Sequence, residues 1–353
     1  MPTRVLGRGA GLLLFTSVLL ALPVRLMTSQ DIPADVVGAL YPATLSLEDG
    51  SPLVDISFSS RGIQKLTTSE EPGLDWVYQG DYSAWDYTEW HWWKGHPFDF
   101  QAGHDKLAYW ESFRPRFWGS PQVYAERLRQ GYLRINFESD GFQFIQDYLL
   151  PGQAKPGVGY WDMMFTATNS TGKQIEEYGH FFACYTSING ERSHWFWDAG
   201  GELVLWKDRE AGHLNGYVSS AEAYFQSSGK IPHCPRGKGR IIGAWRHPVL
   251  VSHASPEGWR SVILLDPDTT GGIACGMQGV AMDFIFYPGH RERVFQPGSS
   301  FTANMRHLMV KSPGLPSRAQ LEGWWSQFQQ SRSEVRQRIG RLRENSTRQG
   351  AER

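Results

Sequence analysis

The sequence predicts an all-β fold, a large antiparallel β-sandwich with a C-terminal α-helix. Across residues 36–311, short runs rich in Val, Ile, Phe, Tyr and Trp are separated by Gly, Pro, Asn, Asp and Ser, and helical periodicity is scarce. After Pro313 the pattern changes to apolar residues spaced by three and four. So many strands with so few helical crossovers disfavour a parallel α/β sheet. At 353 residues, 41% of them hydrophobic and 20% charged, the chain can bury a sizeable core and is not expected to be disordered.

The elements follow in chain order. Residues 1–29 read as a signal peptide: Arg4 and Arg8 precede an apolar run over residues 10–23 that is too short to cross a bilayer, with Ala21 or Ser29 offering the small residue a cleavage site needs. The mature chain is therefore expected to be secreted, periplasmic or extracellular, with an uncleaved N-terminal membrane anchor as the alternative and no transmembrane span after cleavage. Cys184, Cys234 and Cys275 are an odd number far apart, so the fold is not built on disulfides. The formal net charge of −1 becomes more negative without the leader's three arginines, which argues against nucleic acid as a partner.

Residues 30–312 form the sandwich domain. Strands are predicted at 53–59, 132–138, 142–149, 160–169, 180–186, 202–206, 241–252, 261–265, 280–287 and 300–310. Glu138-Ser139-Asp140-Gly141 and Asn169-Ser170-Thr171-Gly172-Lys173 supply residues that tolerate positive φ, and they read as turns. The second also spells a glycosylation sequon, as does Asn345-Ser346-Thr347, but turn chemistry explains Asn169 without a glycan. Residues 313–353 form the C-terminal helix and a basic tail. Ser317 can cap the helix, whose stripe Leu321, Trp325, Phe328, Val335, Ile339 and Leu342 can pack on the sandwich or make a homodimer contact.

The densest local signal is the segment 76–118, where fifteen of forty-three residues are aromatic, more than a core requires of one stretch. Its charged residues and its glycines and prolines read as a long irregular loop that cannot be buried on all sides. Flat rings suit the C–H face of a sugar while carboxylates and imidazoles meet its hydroxyls, so carbohydrate is the leading ligand; the alternative is aromatic packing alone. The substrate-binding candidates are Trp85, Trp90, Trp92, Trp93, Arg114, Arg116 and Trp118, joined by His290 and Arg291 on a later charged turn. Candidates for acid/base chemistry are Asp86, Glu89, His91, His180 and His194, since sugar chemistry uses paired carboxylates or an imidazole.

No G-x-S-x-G, H-E-x-x-H or P-loop is present, and His180, Cys184, His194, His233, Cys234 and His253 match no zinc spacing. Neither a cofactor nor a metal is therefore expected. The strand-turn Phe165-Thr166-Ala167-Thr168-Asn169-Ser170-Thr171-Gly172-Lys173 and the later Gln296-Pro297-Gly298-Ser299-Ser300-Phe301 resemble the galactose-mutarotase-like β-supersandwich superfamily, over about residues 36–311. The resemblance implies a supersandwich-like fold and sugar handling. It does not carry over the mutarotases' histidine acid and glutamate base, which match no position here. The expected function is thus an exported carbohydrate-binding or carbohydrate-active protein, of lyase, epimerase or hydrolase type if an enzyme. The alternative is a non-catalytic secreted or envelope-associated binding or scaffold protein.

Overall fold

The computed structural model describes residues 41–46, 52–59, 62–68, 88–93, 114–117, 131–139, 142–149, 158–174, 180–186, 194–205, 216–220, 240–255, 258–276, 281–286 and 296–351. Seventeen strands and one long helix occur among them. The strands are β1 (Tyr41–Ser46), β2 (Pro52–Ser59), β3 (Gly62–Thr68), β4 (Thr88–Trp93), β5 (Arg114–Phe117), β6 (Tyr132–Ser139), β7 (Phe142–Leu149), β8 (Val158–Asn169) and β9 (His180–Thr186). They continue with β10 (His194–Asp198), β11 (Leu203–Leu205), β12 (Gly216–Ser220), β13 (Arg240–Ser252), β14 (Trp259–Leu265), β15 (Thr270–Gly276), β16 (Ala281–Phe286) and β17 (Ser300–Lys311), and the helix α1 spans Arg318–Ala351.

The strands β1-β2-β3 make one small sheet, and the other fourteen make a second. The second runs β4-β9-β16-β15-β12-β13-β14-β17-β8-β7-β6-β5, with β10 joined to β13 and β11 to β10. This is the all-β class with a C-terminal helix that the sequence predicts. Two details differ from expectation. The pairing of β12 with β13 is parallel, in a sheet expected to be antiparallel. The aromatic segment is not one irregular loop, because Thr88–Trp93 and Arg114–Phe117 are strands. Thr, Trp, His and Phe fit a pleated surface, and here the ladder hydrogen bonds of neighbouring strands outweigh the nearby glycines and prolines.

The middle of the large sheet is covered on both faces. On β14 all seven residues are buried, with Val262 and Leu264 turned toward the helix and Ser261, Ile263 and Leu265 toward the other side, as a period of two requires. Under the helix, Leu321, Trp325 and Phe328 pack with Trp197, Val249, Val251, Val262, Leu264, Leu308 and Val310. Val335 and Ile339 pack with Tyr132, Leu149 and Met164, with Leu342 against them. Each such large apolar side chain contributes about 2 kcal/mol by leaving water. The stripe considered for a homodimer contact is therefore occupied by the chain's own sheet along its whole length.

The helix begins with a capping box: Ser317 Oγ accepts from Gln320 N at 3.3 Å, and Ser317 N donates to Gln320 Oε1 at 2.9 Å. The chain from residue 332 onward, expected as a basic tail, is helical through Ala351, and its arginines hold the sheet. Arg332 and Arg336 reach Asp266, each Nη to a different carboxylate oxygen, at 2.9 and 2.8 Å. Arg343 pairs with Asp147, which also accepts from the Tyr132 hydroxyl at 2.5 Å. Between them, Arg306 makes a two-pronged contact with buried Asp162 at 2.7 and 2.8 Å and donates to Ser331 of the helix at 2.9 Å. Burial raises the Asp162 and Asp266 carboxyls above the usual range even against these cations.

The turn after β8 behaves as its sequence predicts. Asn169 Oδ1 accepts from Thr171 N at 3.0 Å and from Thr171 Oγ1 at 2.6 Å, Asn169 Nδ2 donates to Lys173 O at 2.9 Å, and Gly172 takes φ 71°. Asn169 is 0% exposed, so in the folded chain its amide is committed to the turn and closed to a glycan. Its backbone also meets the second motif: Asn169 N donates to Ser299 O and Gly298 N to Asn169 O. The two stretches that carry the family resemblance thus form one hydrogen-bonded corner.

Candidate functional site

Three of the predicted acid/base residues come together in the ladder between β4 and β9. This antiparallel pairing sets Trp93 opposite His180, Trp92 opposite Phe181, His91 opposite Phe182, Trp90 opposite Ala183 and Glu89 opposite Cys184. Directly opposed residues share a face and successive residues alternate, so Glu89, His91, Trp93 and His180 fall on one face of the ribbon. Trp90 and Trp92 fall on the other. Glu89 and His91 are two positions apart, about 7 Å along the strand, and His180 lies diagonal to His91 at about 7–8 Å. β4 is also the terminal strand in the order of the large sheet.

The remaining candidates lie elsewhere. Arg114 and Arg116 are on β5, at the opposite end of the strand order, where Arg114 faces Glu138 and Arg116 faces Asn136 in register. His194 is on β10, opposite Ser252 on β13, and the route from β9 to it passes through β16, β15, β12 and β13. Its ring is 5% exposed, its Nδ1 is buried with no hydrogen-bond partner, and burial, assisted by nearby His253, pushes its pKa down to about 3. An imidazole in that state is neutral at ordinary pH and separate from the β4–β9 ladder. Trp85, Asp86, Trp118, His290 and Arg291 lie outside the described residues.

Sequence reasoning passed over one constellation. On the sheet face away from the helix, the Ser261 hydroxyl is in hydrogen-bond contact with His307 Nε2, and the ring of Trp161 lies 4.1 Å from that of His307. Burial lowers the His307 pKa well below its ordinary value. The Ser252 hydroxyl accepts from Ser261 N at 2.8 Å and donates to His253 O at 2.8 Å, which fixes the backbone around Ser261. A signal was present in the sequence: Ser261 stands among Trp259, Ile263 and Leu265 on one face of β14, and His307 among Phe301, Ala303, Met305 and Met309 on one face of β17, so each is a polar residue in an apolar row. Among the described residues, no group of three or more His, Cys, Asp or Glu could hold a metal ion. No helix among them is long and apolar enough to cross a membrane.

No protein-family model matches the chain, and no curated protein matches it. Several solved structures show a distant similarity to the chain. A candidate aldose 1-epimerase from Escherichia coli K12 shares 10% identity over 76% of this chain and 99% of its own, with a TM-score of 0.40. The Slr1438 protein of Synechocystis shares 11% over 77% of this chain and 96% of its own, with a TM-score of 0.37. A galactose mutarotase-like protein from Lactobacillus casei shares 10% over 76% of this chain and 99% of its own, with a TM-score of 0.35. At these identities and scores the likeness bears on neither activity nor ligand.

Proposed function

We propose that this chain is an exported carbohydrate-binding or carbohydrate-active protein whose ligand lies along the β4–β9 ladder. The observation that carries the proposal is the register that sets Glu89, His91 and His180 on the same ribbon face as Trp93. Trp93 is the stacking ring, because an indole offers a flat apolar surface to the axial C–H groups of a sugar. Glu89 and His91 are the acid/base pair, with His180 beside them to hold a hydroxyl. Trp90 and Trp92 belong to the other face and support the strand or take a second sugar unit.

Binding is tested by calorimetry against a panel of neutral and acidic oligosaccharides. Trp93→Ala is expected to weaken the affinity for the best ligand by ten-fold or more. Glu89→Gln is expected to leave binding within a few-fold while removing any turnover. If no glycan binds the intact chain, or Trp93→Ala binds as the parent does, the reading fails.

A further inference from the structure

The strands β4, β9, β16, β15 and β12 lie side by side at one end of the large sheet's order, and their registers carry rows of residues across it. One row is Trp90, Ala183, Phe284, Ile273 and Val218, apolar throughout, and its Ile273 is fully buried. The adjoining row is Glu89, Cys184, Asp283, Ala274 and Tyr217. Successive residues of a strand alternate, so this second row lies on the opposite face from the first. Asp283 therefore shares the face of Glu89, His91, Trp93 and His180, two strands from Glu89 with the small Cys184 between them. Two ladder spacings set the Cα atoms of Glu89 and Asp283 about 10 Å apart. None of the five strands contains a Lys or Arg, and Glu89 and Asp283 are their only carboxylates.

We propose that Asp283 selects the ligand of the sugar site, and that the ligand class is an amino sugar carrying a free ammonium group. The proposal rests on the carbohydrate reading of the β4–β9 ladder and extends that site onto β16. Two carboxylates on strands without a fixed cation repel an anionic ligand and favour a cationic one. A uronate would add a third negative charge to this face. A neutral sugar would offer hydroxyls and leave both charges uncompensated, whereas an ammonium makes a charge-assisted hydrogen bond with a carboxylate. Asp283 takes the ammonium, and Glu89 keeps its part in proton transfer.

The test uses the full chain and calorimetry at low ionic strength, at about pH 6, where ordinary Asp and Glu carboxyls are ionised. Tetramers of glucosamine, glucose and glucuronate with one common linkage are the probes. The glucosamine tetramer, charged at that pH, is expected to bind about ten-fold or more tightly than the glucose tetramer, the scale of one charge-assisted hydrogen bond, and the glucuronate tetramer weakest. Asp283→Asn, checked for folding by circular dichroism and thermal unfolding, is expected to lose about ten-fold for the glucosamine tetramer and less than about three-fold for the glucose tetramer. Equal or tighter binding of the glucose or glucuronate tetramer by the native chain overturns the inference, whether or not the variant folds. So does a folded Asp283→Asn that keeps the full preference. Glycan binding without that preference sinks this inference alone, and no binding of any of the three sinks the carbohydrate reading with it.

Discussion

Acidification from pH 7.5 to pH 5 is expected to destabilise the fold through His194. In the folded chain burial holds this imidazole neutral with a pKa of about 3, against 6.5 when it is free in the unfolded chain. Between those values the unfolded state binds a proton that the native state does not, so stability is fully present above pH 6.5 and is lost as the pH falls below it. At pH 5 the unfolded imidazole is 1.5 units below its pKa, which corresponds to a loss of about 2 kcal/mol for this one group at 1.36 kcal/mol per unit. Against a typical domain stability of about 5–15 kcal/mol, that shift is readily measured. His307 acts in the same direction, since its pKa also lies well below the ordinary value. Asp162 and Asp266 act in the opposite direction, because a carboxyl raised on folding adds stability as the pH falls through its folded pKa. The parent must therefore be compared with His194→Gln by urea unfolding at both pH values. The variant is expected to lose about 2 kcal/mol less than the parent between them. Equal losses would refute the assignment of His194 as a buried neutral group.

Two further outcomes concern the helix and its supports. Arg306→Met strands the Asp162 carboxylate in the sheet and is expected to cost about 3–5 kcal/mol, while the double variant Arg306→Met with Asp162→Leu recovers most of that loss; paired urea titrations decide. Ser317→Ala removes the hydroxyl that accepts from Gln320 N and is expected to cost about 1 kcal/mol, seen as a lower midpoint in thermal unfolding.

Much of the strand set could be read from local pattern, and the reason is visible in particular residues. Phe142–Leu149 and His180–Thr186 have the predicted bounds, and Ser300–Lys311 extends one residue beyond prediction. Each is a run of β-favouring residues bounded by turn chemistry. The cap at Ser317 and the Asn169 turn were equally legible, because each depends on side chains within four residues. What local pattern could not supply is pairing at a distance. The parallel match of β12 to β13 leaves no mark within either strand. Arg343 meets Asp147 across 196 residues and Arg306 meets Asp162 across 144, so a string of arginines in the sequence looks like a solvated tail. At the candidate site, the chemistry-bearing residues of β4 and β9 could be named, but only the register divides them, setting Trp93 with Glu89 and His91 and sending Trp90 and Trp92 to the other side.

The helix Arg318–Ala351 follows every described strand, so a ribosome completes those residues of the sheet before it makes the segment that covers them. Until then Val249, Val251, Val262, Leu264, Leu308 and Val310 lack the helix that packs on them, and Asp147 and Asp266 await its arginines. A nascent chain in this state presents a greasy strip that chaperones bind and that other unfinished chains can stick to. A premature stop codon near residue 316 would leave the protein in that condition permanently, and its product would aggregate rather than merely lose a terminal ornament.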